Sequence, residues 1–525
     1  MEGLKQLLVN YDDQNYIVDG FRNGFMFNFE GKEQELFAKN TAVTSRHRNI
    51  IEQKIREEMR KGRFYGPFPT PFLPNSKISP LDIRPKKEPG SFRLIHNLSY
   101  PYDESSLNFN IPEASSTVKY ETINDAIRKV RLCSPSAYMA KADIAEAYRL
   151  IPLHPSQYHL VGFSWEDKIY YDKCLPMGAS SSCQIFERFS SSLKFILQNK
   201  YGIENVTKIL DDFLFVNNSK MKCSDDLNAF LDLCKTLNIP LASHKTVFPT
   251  NIITFLGIEI DSVNMTIQLP KEKLQQYKED VNKFMARNTC KMKELKSITG
   301  KLQFATTAIP AGRSFLRRLY NGTRKHQPRS AIAVSKGMKD DLRVWTNFLN
   351  NYNGKTIISE RKIFSSHDHT IWTDSSMSGF GGTFHESWIK GTWPTSWKKL
   401  NITILELYPI YILVMMYEKQ LFNSTVIFYC DNEAVVAILN SQTSKCNTIM
   451  AILRPLVFSL LINNINFKAV HISGVSNTLC DCISRQKENP GMLLQYNMNA
   501  NPSQIPAKLL PENFSIPSEN LSKPH

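Results

Sequence analysis

The sequence predicts an α+β protein built from several domains. Its 525 residues exceed what one hydrophobic core usually supports, and its 42% hydrophobic and 11% aromatic content is ordinary for globular protein. Strand-like and helix-like runs alternate over residues 66–270 and again over 366–487, whereas the intervening 271–365 is mainly helical and basic. The outer segments differ, because 1–65 holds an extension with one helix and the Pro-, Asn- and Ser-rich 488–525 is predicted to be disordered.

The N-terminal segment contains one clear helix signal. The charged stretch 46–63 carries apolar side chains at helical spacing, namely Ile50, Ile51, Ile55 and Met59. The prolines and the glycine of the following "FYGPFPTPFLPNSKISP" cannot continue a helix, so the first alternating domain is predicted to begin there.

The charge of the chain favours a polyanionic partner such as a nucleic acid. Lys and Arg number 64 against 49 Asp and Glu, which gives a net charge of +15. Six basic residues cluster among apolar and aromatic ones in 312–330, namely Arg313, Arg317, Arg318, Arg324, Lys325 and Arg329. A solvated end of an amphipathic helix explains this cluster equally well on composition alone.

Nothing in the sequence indicates a membrane protein or a secreted one. No window approaches the roughly 18 uncharged apolar residues of a membrane span, and the first residues lack the apolar core of a secretory signal. The 10 cysteines include no CxxC pair, which is typical of reduced thiols. We therefore expect an intracellular protein of the cytoplasm or the nucleus, without a membrane partner.

Two adjacent carboxylates, Asp211 and Asp212, interrupt the apolar run "KILDDFLFV". Such a pair costs desolvation and mutual repulsion unless a cation or a solvated turn compensates. Upstream, Asp143 ends a short apolar strand and is followed by a predicted helical turn that carries Tyr148. A carboxylate at a strand end beside a pair on a hairpin tip can hold two Mg²⁺ ions, and a solvated hairpin tip is the alternative.

A second set of acids is spread over residues 366–487. Each lies at the end of a predicted strand or on a helix able to face it, and a histidine accompanies them: Asp374, Glu406, Asp431, His471 and Asp481. Four such carboxylates can converge on two metal ions for phosphodiester hydrolysis. Taken singly, Asp431 could instead be a helix N-cap and Glu406 a solvated helix residue.

The order of these motifs resembles that of a known enzyme family. Between and around the acids lie "ISPLDIRPKKEPGSFRLIHNLSYP", "LPMGASSSCQIFERFSSSL" and "LASHKTVFPTNIITFLGIEID", an order similar to that of reverse transcriptases. The second acidic set resembles ribonuclease H. The resemblance implies a right-hand polymerase, with fingers and palm in 66–270 and thumb and connection in 271–365, followed by an α/β ribonuclease H-like domain in 366–487.

The resemblance also implies roles for the matching residues of the polymerase. Asp143, Asp211 and Asp212 would be the catalytic metal ligands, and Tyr148 would be the aromatic gate that favours deoxynucleotides. The other implied nucleotide-binding residues are Lys86 or Lys87, Arg93, Met177, Gly178 and Lys245, and the implied primer grip is Phe255, Leu256 and Gly257. Each of these roles has an alternative. The fingers lysines could belong to an exposed basic hairpin, Lys245 could be a surface lysine, and the primer grip could be a core strand. Ile209 departs from the pattern, because most of the family has an aromatic residue there.

In the nuclease, the resemblance implies that Asp374, Glu406, Asp431 and Asp481 bind metal and that His471 assists proton transfer or product release. Each active site would use two Mg²⁺ ions, for which Mn²⁺ can substitute. The implied partners are an RNA template, a DNA primer, an RNA/DNA hybrid and deoxynucleoside triphosphates.

The motifs are most similar to those of DIRS-like retrotransposons, which implies a tyrosine recombinase encoded by the same element. A second hypothesis is a domesticated, catalytically silent nucleic-acid-binding protein that retains the fold. The presence of all seven acids argues against that hypothesis.

Overall fold

The computed structural model describes residues 2–40, 46–86, 90–133, 135–324, 331–351, 356–357 and 369–516. The chain divides into two compact units. Unit 1 comprises Met1–Leu256 with Ile260–Asn264, and unit 2 comprises Gly257–Glu259 with Met265–His525. Both units mix helices and strands, as predicted. Over the described ranges, no helix is long and apolar enough to cross a lipid bilayer.

Within the ranges that the structure describes, unit 1 contains six α-helices and most of the strands of the first alternating region. The helices are α1 (Glu2–Leu7), α2 (Gln14–Asn23), α3 (Arg48–Arg60), α4 (Ile123–Leu132), α5 (Ser182–Lys200) and α6 (Lys220–Thr236). The strands are β1 (Leu36–Phe37), β2 (Phe64–Phe68), β3 (Lys77–Ile78), β4 (Leu81–Pro85), β5 (Phe92–His96), β6 (Tyr138–Asp143), β7 (Gly162–Trp165), β8 (Lys168–Asp172), β9 (Val206–Ile209), β10 (Asp212–Asn217), β11 (Val247–Thr250) and β12 (Ile252–Phe255), and β13 (Ile258–Asp261) crosses the division.

Two sheets and a hairpin organise unit 1. A five-stranded sheet has the order β1-β3-β7-β8-β2, β4 pairs with β5, and an antiparallel four-stranded sheet has the order β11-β6-β10-β9. Helices α5 and α6 pack on the four-stranded sheet. Phe213–Val216 of β10 is buried on both faces, which is why this strand has a continuous apolar run instead of an alternating one.

The N-terminal segment packs on this part of unit 1. Leu4, Leu8 and Ile17 belong to the same core as the sheet and α5, and burial of each such side chain stabilises the fold by about 1.5–3 kcal/mol. Arg188 of α5 also pairs with Asp13 at 2.5 Å. The predicted helix in 46–63 is confirmed as α3, whose Ile51 and Ile55 are buried.

Unit 2 contains nine α-helices among its described residues. They are α7 (Lys271–Met285), α8 (Met292–Ala305), α9 (Arg317–Arg324), α10 (Lys336–Asn351), α11 (Ile402–Tyr417), α12 (Glu433–Ser441), α13 (Asn447–Ile462), α14 (Thr478–Ser484) and α15 (Pro490–Gln495). The strands are β14 (Thr266–Gln268), β15 (Thr289–Cys290), β16 (Ile332–Ala333), β17 (Thr356–Ile357), β18 (His369–Ser375), β19 (Gly379–Phe384), β20 (Ser387–Thr392), β21 (Thr425–Cys430) and β22 (Asn466–His471).

The main sheet of unit 2 has five strands in the order β20-β19-β18-β21-β22. The first three strands are antiparallel, and β18, β21 and β22 are parallel. Helix α11 packs on β18 and β19. Apart from Glu406, the helix is apolar on all sides because the whole of Ile404–Val414 is buried.

A buried carboxylate joins three helices of unit 2. Asp341 of α10 is 1% exposed and pairs with Arg318 of α9 at 2.7 Å and with Arg454 of α13 at 3.5 Å. Arg318 of the predicted basic cluster therefore has a structural partner. Arg313 and Arg324 are exposed, Arg317 is half-buried, and Lys325 and Arg329 lie outside the described residues.

The prediction of a disordered tail in 488–525 is wrong over most of that segment. After α15, the 3₁₀ helices Ala507–Leu509 and Pro511–Asn513 continue the ordered chain. Leu493 and Leu509 are buried, and the Tyr408 hydroxyl donates a hydrogen bond to Leu509 O at 3.2 Å. Composition misled the prediction because a few apolar anchors suffice when the rest of unit 2 supplies the surface. Residues 517–525 lie outside the described ranges.

We predict that Asp341→Ala lowers the free energy of unfolding by about 3–5 kcal/mol, because it leaves the largely buried Arg454 without a counter-ion. Asp340→Ala on the same helix is the matched control, since half-exposed Asp340 pairs only with Arg343 among the ion pairs of the described residues. Its expected cost is below about 1 kcal/mol. Urea unfolding of both variants measures the difference, and equal losses would contradict this role of Asp341.

Candidate active sites

The acidic pair lies at the turn of a hairpin, beside the third predicted carboxylate. Leu210 and Asp211 form the two-residue turn between β9 and β10, and Asp212 is the first residue of β10. Asp212 stands directly opposite Asp143, the last residue of β6. The register of two strand pairs therefore brings the three acids to one end of the four-stranded sheet.

Burial and mutual repulsion act on these acids. Asp143 is 7% exposed, and the acidic pair is half-buried, so it is not a freely solvated hairpin tip. Burial together with Asp143 raises the pKa of Asp212 to about 7, and burial and the Asp143 charge also raise the pKa of Asp211. Anionic carboxylates are unfavourable in this setting until a cation neutralises them, and Mg²⁺ prefers oxygen ligands. The donor set therefore fits a divalent metal ion.

Lys245 brings a positive charge into this cluster. Its Nζ lies 2.9 and 3.1 Å from the two carboxylate oxygens of Asp143. The 3₁₀ turn Ser243–Lys245 is tied to β6, because the Ala242 N–H donates to Asp143 O at 2.8 Å. The side chain is half-exposed, but its ion pair distinguishes it from an ordinary surface lysine.

The predicted fingers residues lie on the β4–β5 hairpin. Arg93 is exposed on β5, and its charge opposes the rise that burial causes in the pKa of Asp211. Lys86 is exposed after β4, and Lys87 lies outside the described residues.

Tyr148 lies in the 3₁₀ helix Ala147–Leu150, as the predicted helical turn requires. Its hydroxyl is 3.0 Å from Cys183 Sγ, and its ring meets Phe186 edge to face. Burial raises the pKa of the Tyr148 hydroxyl, which stays protonated. The side chain is half-buried, so its position suits both a gate and a packing residue.

Gly178 is required for a reason other than the predicted one. Its φ is +147°, and a Cβ atom at this position would lie 1.8 Å from His96 O. The His96 N–H also donates to Met177 O at 2.9 Å. The close backbone approach seen here is to β5 inside the protein, and the nucleotide contact predicted for Gly178 stays a prediction. Met177 is half-buried, and its predicted nucleotide contact stays a prediction.

The predicted primer grip lies at the end of β12. Phe255 is buried, which favours the alternative of a core strand for this residue. Leu256 and Gly257 form the following turn, with φ values of +49° and +77°. Only these two turn residues are partly exposed and able to meet a ligand.

The second acidic set converges at one edge of the unit 2 sheet. Asp374 lies near the end of β18, and Asp431 directly follows the neighbouring parallel strand β21. Glu406 lies on α11 and Asp481 on α14. One ligand atom each of Glu406, Asp431 and Cys430 lie within 4.8 Å of one another.

The environment of the Glu406 carboxylate favours the binding of a cation. The side chain is 4% exposed, and Oε2 has no hydrogen-bond partner among the described residues. Burial, with the charges of Asp374 and Asp431, raises the pKa of Glu406 to about 9. Burial also raises the pKa of Asp374 to about 6, although Ser484 Oγ donates to Asp374 Oδ2 at 2.6 Å. These acids fit divalent metal ions.

The structure excludes two alternative interpretations of this set. Asn432, not Asp431, is the N-cap of α12, because its side chain accepts a hydrogen bond from the Val435 N–H. Glu406 is buried and not a solvated helix residue. His471, the last residue of β22, is exposed, with Nε2 3.1 Å from Asp431 O. Asp481 pairs with Arg485 at 2.7 Å.

Sequence reasoning missed the polar residues that support the two clusters. Glu187 of α5 pairs with Lys208 of β9 at 2.5 Å, and both side chains are buried. Their sequence signal was a lone acid in an apolar helix and a lone lysine in an apolar strand. Cys430 was missed because its position before Asp431 looked like ordinary strand packing.

Comparison with known proteins defines the class of the first acidic site. Residues 85–260 match the family model described as "Reverse transcriptase (RNA-dependent DNA polymerase)". The matched stretch is similar to that family and contains Asp143, Asp211 and Asp212.

The curated relatives are viral. The chain is 25% identical over 245 residues to Protein P of duck hepatitis B virus (isolate brown Shanghai duck S5), across 42% of this chain and 31% of that protein. It is 26% identical over 183 residues to the Pro-Pol polyprotein of feline foamy virus, across 35% of this chain and 15% of that protein. The matched parts thus make up less than a third of these relatives' own length.

Two solved structures share the fold. A foamy viral protease-reverse transcriptase dRH in complex with double-stranded DNA gives a TM-score of 0.52 at 14% identity, over 90% of this chain and 82% of that chain. The foamy viral protease-reverse transcriptase in complex with an RNA/DNA hybrid gives a TM-score of 0.50 at 14% identity, over 89% of this chain and 62% of that chain. The predicted α+β multidomain fold class, with the fold of a right-hand polymerase, is confirmed. The α/β ribonuclease H-like domain in 366–487 stays a prediction.

We predict a pH-dependent gain in stability for Asp212→Asn in metal-free protein. A carboxyl with a raised folded-state pKa stabilises the fold below the unfolded pKa of about 4, and this contribution is lost as the pH rises through about 7. At pH 8 in EDTA the variant should therefore melt at a higher temperature than the natural chain, and the gap should narrow towards pH 5. Calorimetry tests this, with the exposed Asp232→Asn on α6 as control. A gap that does not change with pH would contradict the assignment.

Proposed function

We propose that the chain is an RNA- and DNA-directed DNA polymerase with a fused ribonuclease H. The observation that carries the polymerase half is the cluster of Asp143, Asp211 and Asp212 within the reverse transcriptase domain. Its substrates would be a DNA primer on an RNA or DNA template and deoxynucleoside triphosphates. The basic net charge of the chain agrees with such partners.

At the polymerase site, the three acids would hold two Mg²⁺ ions. Bound Mg²⁺ would lower the pKa of the primer 3′-hydroxyl and neutralise charge on the triphosphate. Lys245, released from Asp143, would donate a proton to the leaving pyrophosphate. Arg93, with Lys86 and Lys87, would bind the triphosphate oxygens.

Other residues would position the substrates. The Tyr148 ring would crowd a 2′-hydroxyl and so favour deoxynucleotides, with Cys183 and Phe186 fixing the ring. The turn residues Leu256 and Gly257 would hold the primer end, with Phe255 as their anchor in the core.

At the second site, two Mg²⁺ ions, replaceable by Mn²⁺, would be held by Asp374, Glu406, Asp431 and Asp481. The support is the buried Oε2 of Glu406, which lies among three other carboxylates and has no hydrogen-bond partner in the described ranges. Exposed His471 would move a proton or assist product release. Hydrolysis of the RNA strand of an RNA/DNA hybrid could then follow synthesis, because a shared chain keeps both sites at high effective concentration.

We also propose that the chain comes from a DIRS-like retrotransposon and acts with a tyrosine recombinase of the same element. This subgroup rests on the motifs "LPMGASSSC" and "ITGKLQFATTAIPAGRSFLRRLY" and the proline-rich stretch before β4. Enzyme class and subgroup are separate proposals, and the experiments below test the enzyme class.

Asp211→Asn should lower DNA synthesis on a primed RNA template with Mg²⁺ by about 100-fold or more, equivalent to about 2.7 kcal/mol in the barrier. The loss of one anionic metal ligand is the reason. Exposed Asp232→Asn should keep the natural rate. Gel-resolved primer extension measures both. A natural chain that binds template and extends nothing would favour the silent binding-protein hypothesis.

Glu406→Gln should lower hydrolysis of RNA in an RNA/DNA hybrid by about 100-fold or more while DNA synthesis continues. Exposed Glu433→Gln, at the start of α12, is the matched control. Cleavage of a labelled hybrid is the measurement, and equal cleavage by Glu406→Gln and the natural chain would remove the nuclease assignment.

A further inference from the structure

Strand β9 carries the catalytic turn but lies at the edge of its sheet. In the order β11-β6-β10-β9, no described strand pairs with its other side. Backbone N–H groups on a free strand edge need other partners, and without them the strand is poorly held. Any displacement of β9 would move Leu210 and Asp211, which connect it to β10.

Two carboxylates take the place of a further strand. Glu121 Oε2 accepts a hydrogen bond from the Lys208 N–H at 2.9 Å, and Glu187 Oε2 accepts one from the Leu210 N–H at 3.0 Å. Carboxylate acceptors form stronger hydrogen bonds than neutral carbonyl groups. The contact of Glu187 is made to the turn itself, whereas that of Glu121 is two residues further from Asp211.

The backbone of the turn is also strained at Leu210, so further contacts are needed to stabilise its conformation. Leu210 has φ +50°, in the left-handed region that non-glycine residues rarely adopt. The hydrogen bond from its N–H to Glu187 fixes the peptide unit at the strained position.

A buried ion pair holds Glu187 in turn. Glu187 Oε1 lies 2.5 Å from Lys208 Nζ, which also donates to Glu187 O at 3.1 Å and to Ser190 Oγ at 3.0 Å. All three ammonium hydrogens therefore have acceptors on α5. Such a pair is costly to bury and costly to break, but it fixes geometry strongly.

We propose that Glu187 is a positioning residue of the polymerase: with Lys208 as its counter-ion, it holds the Leu210–Asp211 turn so that Asp211 and Asp212 face Asp143 as one metal site. The inference rests on the proposed polymerase function. Glu187 acts through the turn and touches no substrate.

The test compares Glu187→Gln with Glu121→Gln in the full chain bound to primed RNA template. In Glu187→Gln the Leu210 N–H and Lys208 compete for one amide oxygen. We therefore expect kcat to fall about 10-fold, the size of effect seen when residues that support metal ligands are changed. The KM for the deoxynucleotide should stay within about 2-fold of the natural value. Electron paramagnetic resonance of free Mn²⁺ measures how much Mn²⁺ the protein binds, and the binding that remains in Asp211→Asn is subtracted as binding outside this site. The Mn²⁺ affinity of the site should fall about 5-fold or more in Glu187→Gln. Glu121→Gln should change the melting temperature with little effect on kcat or Mn²⁺ binding.

The double variant Glu187→Gln with Lys208→Gln completes the test. A neutral pair can again hold the turn, with one amide accepting from the Leu210 N–H and donating to the other, so kcat and Mn²⁺ affinity should recover at least partly. A folded Glu187→Gln protein with the natural kcat and Mn²⁺ affinity would overturn the positioning role of Glu187 and leave the proposed polymerase function intact. A natural chain without synthesis, whose Mn²⁺ binding Asp211→Asn leaves unchanged, would overturn the polymerase function as well.

Discussion

The pairing of Asp212 with Asp143 across two strands is the constraint on which the first site depends. Strand register has a period of two residues, so a shift of one residue would turn Asp143 away from the acidic turn and exchange the two buried faces of β10. Three acids in one half-buried place repel one another and lose hydration. The positive charge of Lys245, and the metal ions that the site would hold, offset this electrostatic free energy. The hairpin, the 3₁₀ turn of Lys245 and the packing of α5 all serve this register.

The second site solves the same problem with a different architecture. Parallel strands β18 and β21 end at one edge and present Asp374 and Asp431 there. Helix α11, otherwise apolar, then carries Glu406 into the core. Glu406 Oε2 has no hydrogen-bond partner within the described part of the chain, which favours the binding of a cation there. In both sites the acids come from elements distant in the chain. At the first site α5, which bears no predicted site residue, also holds the acidic turn through Glu187.

Much of this arrangement could be predicted from the sequence, because motif order and strand periodicity are local properties. The acids, α3 and the alternation of helices and strands were accessible in that way. The role of Gly178 was not, since only the folded chain brings it against His96. The pairing of Glu187 with Lys208 likewise joins a helix to a strand across a tertiary contact. The tail 488–525 was misjudged because its few apolar anchors need a surface that its own composition does not reveal.

The central claim is that the hairpin register builds a metal site from Asp143, Asp211 and Asp212. Anomalous diffraction from crystals of the chain with primed template, deoxynucleoside triphosphate and Mn²⁺ tests it most directly. The account predicts manganese peaks between the Asp143 and Asp211 carboxylates, with the Lys245 ammonium moved off Asp143. A bound nucleotide with no manganese at these carboxylates, and with the Lys245 ion pair intact, would contradict it.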